Sequence, residues 1–311
     1  MTTTAPHDDP FVHPALIYRD ELEYVQEMTR FVSDGVAAGE PVAVAVPAQR
    51  LELVRDAMGP LGAGVRWIDM ARAGRNPGRI IPSVLRAFAD LHRDVHVRII
   101  GEPVWAGRTA VEYPACVQHE ALINRAFAGR DVTILCPYDA RVLAPGVIAD
   151  AHATHPLVIG AGRQCLSAAY DPDGVLARFN QVLRHPPGAA TASFDAELLP
   201  VVRDFALAEA RAWGMSAARL QDLNLVVAEL TTNSVVHGGG SGTLKIWAEG
   251  EQIVCETQDK GRLSDPLAGR HPARPDQIGG RGLLLVHFLS DLVRLHSDDA
   301  GTTVRSYIDR L

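Results

Sequence analysis

The sequence predicts an α/β protein of two domains, a largely parallel sheet followed by an α/β sandwich. Three observations support this prediction. The chain has 311 residues, which exceeds one ordinary core. The order of apolar and helical segments changes after about residue 190. A segment with two prolines and a glycine, residues 184–193, lies at that change and is predicted to link domains at residues 11–183 and 194–311.

The first domain alternates apolar, β-branched runs with helical patterns. The runs predict strands at residues 41–47, 65–69, 95–101 and 132–136. The helical patterns between them predict helices at residues 20–38, 49–58, 81–92 and 113–128. Such alternation is typical of a parallel sheet that helices cover on both faces.

The second domain begins with two predicted helices, at residues 196–213 and 217–237. Strands follow at residues 242–249 and 252–258, then a glycine-rich loop, a helix at 282–289, and strands at 291–296 and 302–308. This order predicts helices packed on one side of a mixed sheet.

Composition excludes several classes of function. A net charge of −7 disfavours nucleic acid as the main partner, because phosphate contacts require a basic face. The chain contains no apolar run long enough for a membrane span, and its acidic start is unlike a signal peptide, so we expect a cytoplasmic protein. The four cysteines form no CxxC pair and are expected to be buried thiols. The only lysines are Lys245 and Lys260, which excludes a Walker-A phosphate loop from the first domain.

The predicted helix 217–237 carries polar residues beside an apolar stripe. Glu229, Asn233 and His237 are four residues apart and share one face. A solvated polar surface would explain them equally well if the helix stood alone.

Three glycine-containing segments favour a nucleotide site. Asp259-Lys260-Gly261 follows a predicted strand, Gly280-Arg281-Gly282 precedes a helix, and Gly301-Thr302 begins the last strand. Glycines at the start of a helix allow backbone N–H groups to surround phosphate. Each segment by itself is also compatible with a plain loop.

Taken in order, these elements resemble the N, G1, G2 and terminal boxes of the GHKL (Bergerat) superfamily of ATP-binding domains. The sequence segments ELTTNSVVH, GGRGLLLV and GTTVR are most similar to those of anti-sigma-factor serine kinases of the RsbW and SpoIIAB type. The resemblance implies ATP and Mg²⁺ as ligands. It also implies a sigma factor and a STAS-domain anti-anti-sigma protein as partners.

The resemblance implies a role for each residue. Asn233 would bind Mg²⁺, and Glu229 would orient or deprotonate the attacking hydroxyl. Asp259 would accept a hydrogen bond from the adenine amino group, supported by Thr302. The remaining expected contacts are backbone contacts with adenine or phosphate at Gly261, Gly280 and Gly282, and phosphate contacts at His237 and Arg281. A structural role at the end of the helix is equally open for His237.

Two features depart from the family pattern. The G1 segment lacks a second glycine that many relatives carry. The lid, residues 269–279, is rich in arginine and proline, which makes Arg270 and Arg274 further candidates for phosphate contact. A solvated lid is the alternative.

The first domain resembles the MEDS sensory domain, a module similar in fold to RecA-type ATPases. The likeness rests on His13-Pro14 with Tyr18, Gly39-Glu40-Pro41, the segment 98–105, Tyr113 with Glu120 and Asn124, Cys136-Pro137-Tyr138-Asp139, and His155-Pro156. Glu102, Trp105, Tyr138 and Asp139 lie at or just after predicted strand ends, where open α/β sheets bind ligands. A small-molecule signal could bind there, or these groups could satisfy loops. His152 and His155 have the spacing of a metal pair, but no third ligand is evident.

Together these resemblances predict a regulator in which a sensory domain controls an ATP-dependent serine/threonine kinase that also sequesters a sigma factor. One alternative is a catalytically silent ATP-binding anti-sigma module. A histidine-kinase-like protein is disfavoured, because no long dimerisation helix precedes residue 194. The oligomeric state stays open, with a homodimer as one option.

Overall fold

A computed structural model describes residues 9–272 and 280–311. The chain divides into two compact units. One contains the chain up to Arg75 together with Ile80–Phe179, and the other contains Asn76–Arg79 together with Asn180–Leu311.

The first unit is built on a seven-stranded sheet of order β3-β2-β4-β5-β1-β6-β7. All neighbours in it pair in parallel except β6 and β7, which confirms the predicted, largely parallel sheet. Its strands are β1 (Pro14–Tyr18), β2 (Val42–Val46), β3 (Arg66–Asp69), β4 (Val97–Gly101), β5 (Val132–Asp139), β6 (Leu157–Gly160) and β7 (Arg163–Leu166).

Burial explains why the central strands read as continuous apolar runs. All five residues of β2, Val42–Val46, are buried, as expected for a strand covered on both faces. The helices of the unit are α1 (Glu21–Ala37), α2 (Ala48–Met58), α3 (Met70–Ala73), α4 (Arg86–Ala89), α5 (Tyr113–Ala126), α6 (Pro145–Thr154) and α7 (Pro172–Phe179).

One predicted helix of this unit differs in form. Residues 81–92 were expected to be helical throughout, but Ile81–Leu85 is a π-helical turn and only Arg86–Ala89 is α-helical. Pro82, near the start, has no N–H to donate to the helical ladder.

The second unit contains a five-stranded sheet of order β11-β12-β10-β9-β8, whose pairs are all antiparallel. A mixed sheet was expected, so the prediction of strand direction was wrong. The chain crosses over from β10 through α10 to β11, which runs parallel to β10. The strand β12 then lies between them and is antiparallel to both, so no two neighbours pair in parallel. The elements are β8 (Ala190–Asp195), α8 (Leu199–Ala212), α9 (Ala217–His237), β9 (Ser241–Glu249), β10 (Gln252–Asp259), α10 (Gly282–Leu289), β11 (Leu292–Asp298) and β12 (Gly301–Asp309).

The three helices pack against this sheet through one hydrophobic core. Leu223, Val227 and Leu230 of α9 contribute to it, as the apolar stripe predicts, and Val286 of α10 and Val304 of β12 pack with them. The helix α9 begins after Ser216, whose hydroxyl accepts a hydrogen bond from the backbone N–H of Arg219.

The segment predicted as a linker is partly structured. Its last residues belong to β8, which pairs with β9 from Ala190 to Asp195. Just before it, Asn180 exchanges two hydrogen bonds with the backbone of Ser297, at 2.8 and 3.0 Å. Arg305 donates to the carbonyl oxygen of Arg184 at 2.9 Å. These contacts attach residues 180–184 to β11 and β12.

In the described part of the chain, no helix is both long and apolar enough to span a membrane.

Candidate functional site

A cavity of about 370 Å³ opens in the second unit between α9, the end of β10 and the start of α10. Eight residues predicted to contact nucleotide line it: Asn233, His237, Asp259, Gly261, Gly280, Arg281, Gly282 and Thr302.

Glu229 and Asn233 lie beside the first turn of α10. A Cβ atom placed on Gly282 would lie 2.6 Å from Glu229 Oε2, and 3.1 Å and 3.3 Å from the two side-chain atoms of the Asn233 amide. Only glycine therefore allows the helix start to approach both side chains, which are half-buried. Gly282 and Asn233 line the cavity there, whereas Glu229, the predicted catalytic residue, lies next to Gly282 but is not among the lining residues.

Asp259 is held in place by two donors at the end of β10. Its Oδ2 accepts a hydrogen bond from Ser234 Oγ at 2.7 Å, and its Oδ1 accepts one from the backbone N–H of Gly261 at 2.9 Å. A carboxylate has about four acceptor sites, so both oxygens can still accept a donor from a ligand. This arrangement suits an amino group of a base.

Thr302 supports the loop that carries Asp259. It is the cross-strand partner of Asp259, yet its hydroxyl donates to the carbonyl oxygen of Gly261 at 2.7 Å. The hydroxyl that contacts Asp259 is therefore that of Ser234, whereas Thr302, the residue expected to support Asp259, holds the adjoining Gly261. A side chain at Gly261 would meet the backbone of His237 and Gly238, at 2.5 and 2.7 Å.

The start of α10 is the candidate position for phosphate. Its N-cap, Arg281, makes no side-chain capping hydrogen bond, and Gly280 before it has a φ of 70°. The first N–H groups of a helix have no partner within the helix, so this end can receive phosphate oxygens.

The arginine-rich lid is described only in part. Arg274 lies outside the described residues. Arg270 is 7% exposed, does not line the cavity, and donates to the carbonyl oxygen of Pro77 of the same unit at 3.4 Å. It is thus neither a solvated lid residue nor placed for phosphate contact in this structure.

Two protein-family models match the chain. Residues 12–156 match the MEDS domain (MEthanogen/methylotroph, DcmR Sensory domain), and residues 192–308 match the histidine kinase-like ATPase domain. The chain carries a MEDS domain followed by a histidine kinase-like ATPase domain. The GHKL-like and MEDS resemblances are therefore confirmed.

Other comparisons add little to this result. No curated protein matches the chain. Among solved structures, it matches the RsbU and RsbW domains of Rv1364c from Mycobacterium tuberculosis, at 18% identity and a TM-score of 0.29. The match covers 40% of this chain and 33% of that chain, so the chain spans about a third of that relative.

The MEDS domain has a cavity of its own, of about 360 Å³, at the carboxyl ends of β1, β4 and β5. Three of the four predicted ligand residues line it, namely Glu102, Trp105 and Asp139. Arg50 donates to Asp139 at 3.0 Å and lies over the ring of Tyr18.

Two carboxyl groups of this cavity differ in electrostatic state. Hydrogen bonds from Arg141 hold the pKa of Asp139 below its usual range. Burial raises the pKa of Glu102 to about 8, with Arg50 opposing the shift and Asp139 adding to it. Near neutral pH the cavity thus contains an ionised Asp139 and a largely protonated Glu102.

Tyr138, the fourth predicted residue, does not line this cavity. Its ring contacts the ring of His155 edge-on, with centroids 5.6 Å apart. Alternation along β5 explains the difference, because successive side chains of a strand point to opposite faces.

His155 belongs to a buried cluster that the sequence did not reveal. Its neighbours are His13, Glu120 and Cys136, and the ligand-type atoms of all four lie within 4.8 Å of one another. The predicted partner, His152, is not among them, because α6 ends at Thr154 and His155 lies outside the helix. Burial lowers the pKa of His13 to about 4, with His155 adding to the shift and Glu120 opposing it.

Sequence reasoning missed several residues of both sites. Ser234, next to Asn233 in the motif, could have been found as the hydroxyl one turn before the end of α9. Arg50 and Glu120 gave weaker signals, because each meets its partners through contacts between separate elements.

Proposed function

We propose that the chain is an ATP-dependent protein serine/threonine kinase of the RsbW type, which phosphorylates a STAS-domain anti-anti-sigma protein and sequesters a sigma factor. The observation that carries this proposal is the placement of Glu229 and Asn233 beside Gly282, at the start of α10. A carboxylate and a carboxamide at that position suit phosphoryl transfer to a hydroxyl.

The residues present fit magnesium–ATP. The carboxamide oxygen of Asn233 is a hard ligand of the kind Mg²⁺ prefers, and Gly282 leaves room for it at the helix start. When bound, the ion would supply positive charge that neutralises the phosphates during transfer.

The chain's own residues would divide the remaining work. Asp259 would accept the adenine amino group, and the first N–H groups of α10 would hold phosphate oxygens. Glu229 would accept the proton of the incoming serine or threonine hydroxyl. His237 and Arg281, which line the same cavity, would add phosphate contacts.

We further propose that the MEDS cavity binds the signal that controls the kinase. Glu102, Trp105 and Asp139 line it, so it offers a protonated carboxyl, an aromatic ring and an ion-paired carboxylate. This combination suits a small polar molecule.

The test is phosphate transfer from labelled ATP to a STAS-domain partner, captured from the native host with and without ATP. Glu229→Gln is expected to reduce transfer by about 10²–10⁴-fold while ATP affinity stays within a few-fold, because a general base is lost and the volume is kept. Asn233→Ala is expected to weaken magnesium–ATP binding itself. Glu197→Gln, an exposed carboxyl outside the cavity, is the matched control and should behave as wild type.

Three outcomes would contradict the proposal in different ways. Transfer by Glu229→Gln at the wild-type rate would reject Glu229 as the base. Tight ATP binding without transfer to any captured partner would favour the silent anti-sigma module. An acid-labile phosphoryl product would indicate histidine phosphorylation, although the described segment 180–189 contains no helix that could serve as a dimerisation helix.

A further inference from the structure

Four ligand-type side chains meet in the interior of the MEDS domain. His13, Glu120, Cys136 and His155 are each at most 1% exposed, and their ligand atoms lie within 4.8 Å of one another. They come from four places in the fold: the residue before β1, the helix α5, the strand β5 and the residue after α6.

Strand pairing explains why they converge. The strand β1 lies between β5 and β6, with Ala15 opposite Cys136 and Pro14 opposite Leu157. His13 therefore lies near Cys136 on one side and near His155 on the other. The buried face of α5 supplies Glu120.

Hydrogen bonds fix which nitrogen of each histidine faces the cluster. Nδ1 of His155 lies 2.9 Å from the carbonyl oxygen of Ala151, which can only accept, so this nitrogen carries the proton. Nδ1 of His13 lies 3.1 Å from Asn124 Oδ1, and the amide nitrogen of Asn124 donates to the carbonyl oxygen of Thr154. Both histidines thus present Nε2 inward, with the outward nitrogen held as it is in metal-binding histidines.

The inward atoms have the spacing of a tetrahedral metal site. Glu120 Oε2 is 3.4 Å from Nε2 of His13 and 3.4 Å from Nε2 of His155. Cys136 Sγ is 3.5 Å from Nε2 of His13 and 3.5 Å from Glu120 Oε2. Metal bonds of about 2.0–2.3 Å to nitrogen, oxygen and sulfur give tetrahedral edges of roughly 3.3–3.7 Å.

Two side-chain atoms of the cluster residues make no hydrogen bond within the described residues. Glu120 Oε1 and Nε2 of His155 are both buried and lack a hydrogen-bond partner there. Buried polar atoms without partners destabilise a fold, and acceptor lone pairs that face one another repel. A cation at the centre would give Nε2 of His155 a partner and would remove the repulsion between the inward lone pairs.

We propose that His13, Glu120, Cys136 and His155 bind one Zn²⁺ ion in the interior of the MEDS domain. A thiolate and two imidazoles favour zinc over magnesium or calcium. One Zn²⁺, one thiolate, one carboxylate and two neutral imidazoles sum to zero charge, which suits a fully buried site. On binding, Cys136 forms the sulfur–zinc bond and its thiol proton passes to solvent. With four protein ligands the site is closed, so the ion has a structural role and ties α5 to β1, β5 and the start of β6.

The test is metal content of the full chain, purified without ATP and dialysed against a weak chelator. Wild type is expected to retain one equivalent of zinc, and Cys136→Ser to lose most of it. Cys116→Ser is the matched control: Cys116 is also a buried cysteine, on the same helix as Glu120, but lies outside the cluster, so its variant should keep the ion.

Cobalt substitution gives a second readout that does not depend on the stability of a variant. Wild type loaded with Co²⁺ should show the absorption of a tetrahedral site and a thiolate-to-cobalt charge-transfer band. Wild-type protein that is folded yet takes up neither zinc nor cobalt would overturn the proposal and leave the cluster as a proton-sharing network of His155 and Glu120. Cobalt absorption without a thiolate band, or full zinc retention in Cys136→Ser, would also overturn it.

Discussion

The two domains have cavities of similar volume, about 370 Å³ in the ATPase domain and about 360 Å³ in the MEDS domain, yet a carboxyl group in each cavity has different surroundings. Asp259 is half-buried and receives hydrogen bonds from Ser234 and Gly261. Glu102 is 4% exposed, and its pKa is raised to about 8. The fold supplies hydrogen-bond donors to Asp259 before any ligand arrives, whereas burial disfavours the ionised form of Glu102.

This difference shows that a carboxyl group in a cavity can be either supported by hydrogen bonds of the fold or disfavoured in its ionised form by burial. Around Asp259 the donors come from the backbone and from one hydroxyl, so its two oxygens are held in position without a ligand. Around Glu102 burial outweighs the attraction of Arg50, so the fold favours the protonated form. Four substitutions, each with its own measurement, test the comparison.

The largest effect is expected from Glu102→Gln on stability. Between the ordinary pKa of 4.5 and the folded value of about 8, the folded chain binds a proton that the unfolded chain has released. Wild-type stability therefore falls as the pH rises through this window, and a neutral glutamine avoids that loss. From about pH 5 to about pH 8 the variant should gain on the order of 2–4 kcal/mol relative to wild type in urea unfolding.

An exposed carboxyl of the same domain provides the control. Glu52→Gln, on the exposed side of α2, should follow the wild-type pH profile. Parallel pH profiles for Glu102→Gln and wild type would show that Glu102 is ionised in the fold, and the contrast with Asp259 would disappear.

A smaller effect is expected from Asp259→Ala on ATP affinity. The change removes the acceptor for the adenine amino group and should weaken binding by roughly 1–3 kcal/mol in calorimetry. Binding of GTP should change little, because its base presents an oxygen at that position. Equal ATP affinity in the variant and wild type would reject Asp259 as the adenine contact.

Ser234→Ala should have a still smaller effect on ATP affinity. Asp259 keeps the backbone N–H of Gly261 but loses one of its two donors. We expect a loss of roughly 0.5–1.5 kcal/mol, the usual range for one hydrogen bond. A loss equal to that of Asp259→Ala would mean that Ser234 itself binds the nucleotide.

No effect on ATP binding is expected from Arg50→Ala. Without lysine the MEDS domain has no Walker-A loop, so the full chain should bind a single ATP, in the ATPase domain. Calorimetry should give the same stoichiometry and affinity for Arg50→Ala and wild type. A second ATP that this substitution removes would place nucleotide in the MEDS cavity as well.

The ATPase site was predictable from sequence because its residues lie in short motifs whose spacing determines their geometry. Glu229 and Asn233 are one helical turn apart on α9, and Asp259 and Thr302 are register partners on neighbouring strands. Ser234 was missed because a hydroxyl in a helix more often bonds its own backbone, as Thr231 does here.

The buried cluster was not predictable in the same way. His13 and His155 are far apart in sequence, and only the insertion of β1 between β5 and β6 brings them together. The short run that forms β1 begins with Pro14 and was not recognised as a strand. Without that strand, the nearest partner for His155 in the sequence was His152, on a helix that ends one residue too early.

The edge position of β8 has a practical consequence for handling the ATPase domain alone. A fragment that starts at residue 194, the boundary the sequence suggests, would lose four of the six residues of β8, Ala190–Asp195. The backbone of β9 from Thr243 to Ile246 would then face solvent with its former partners missing. Unpaired strand edges recruit other chains, so such a fragment should aggregate. A fragment that starts before Asn180 keeps β9 paired with β8 and should stay monodisperse in light scattering.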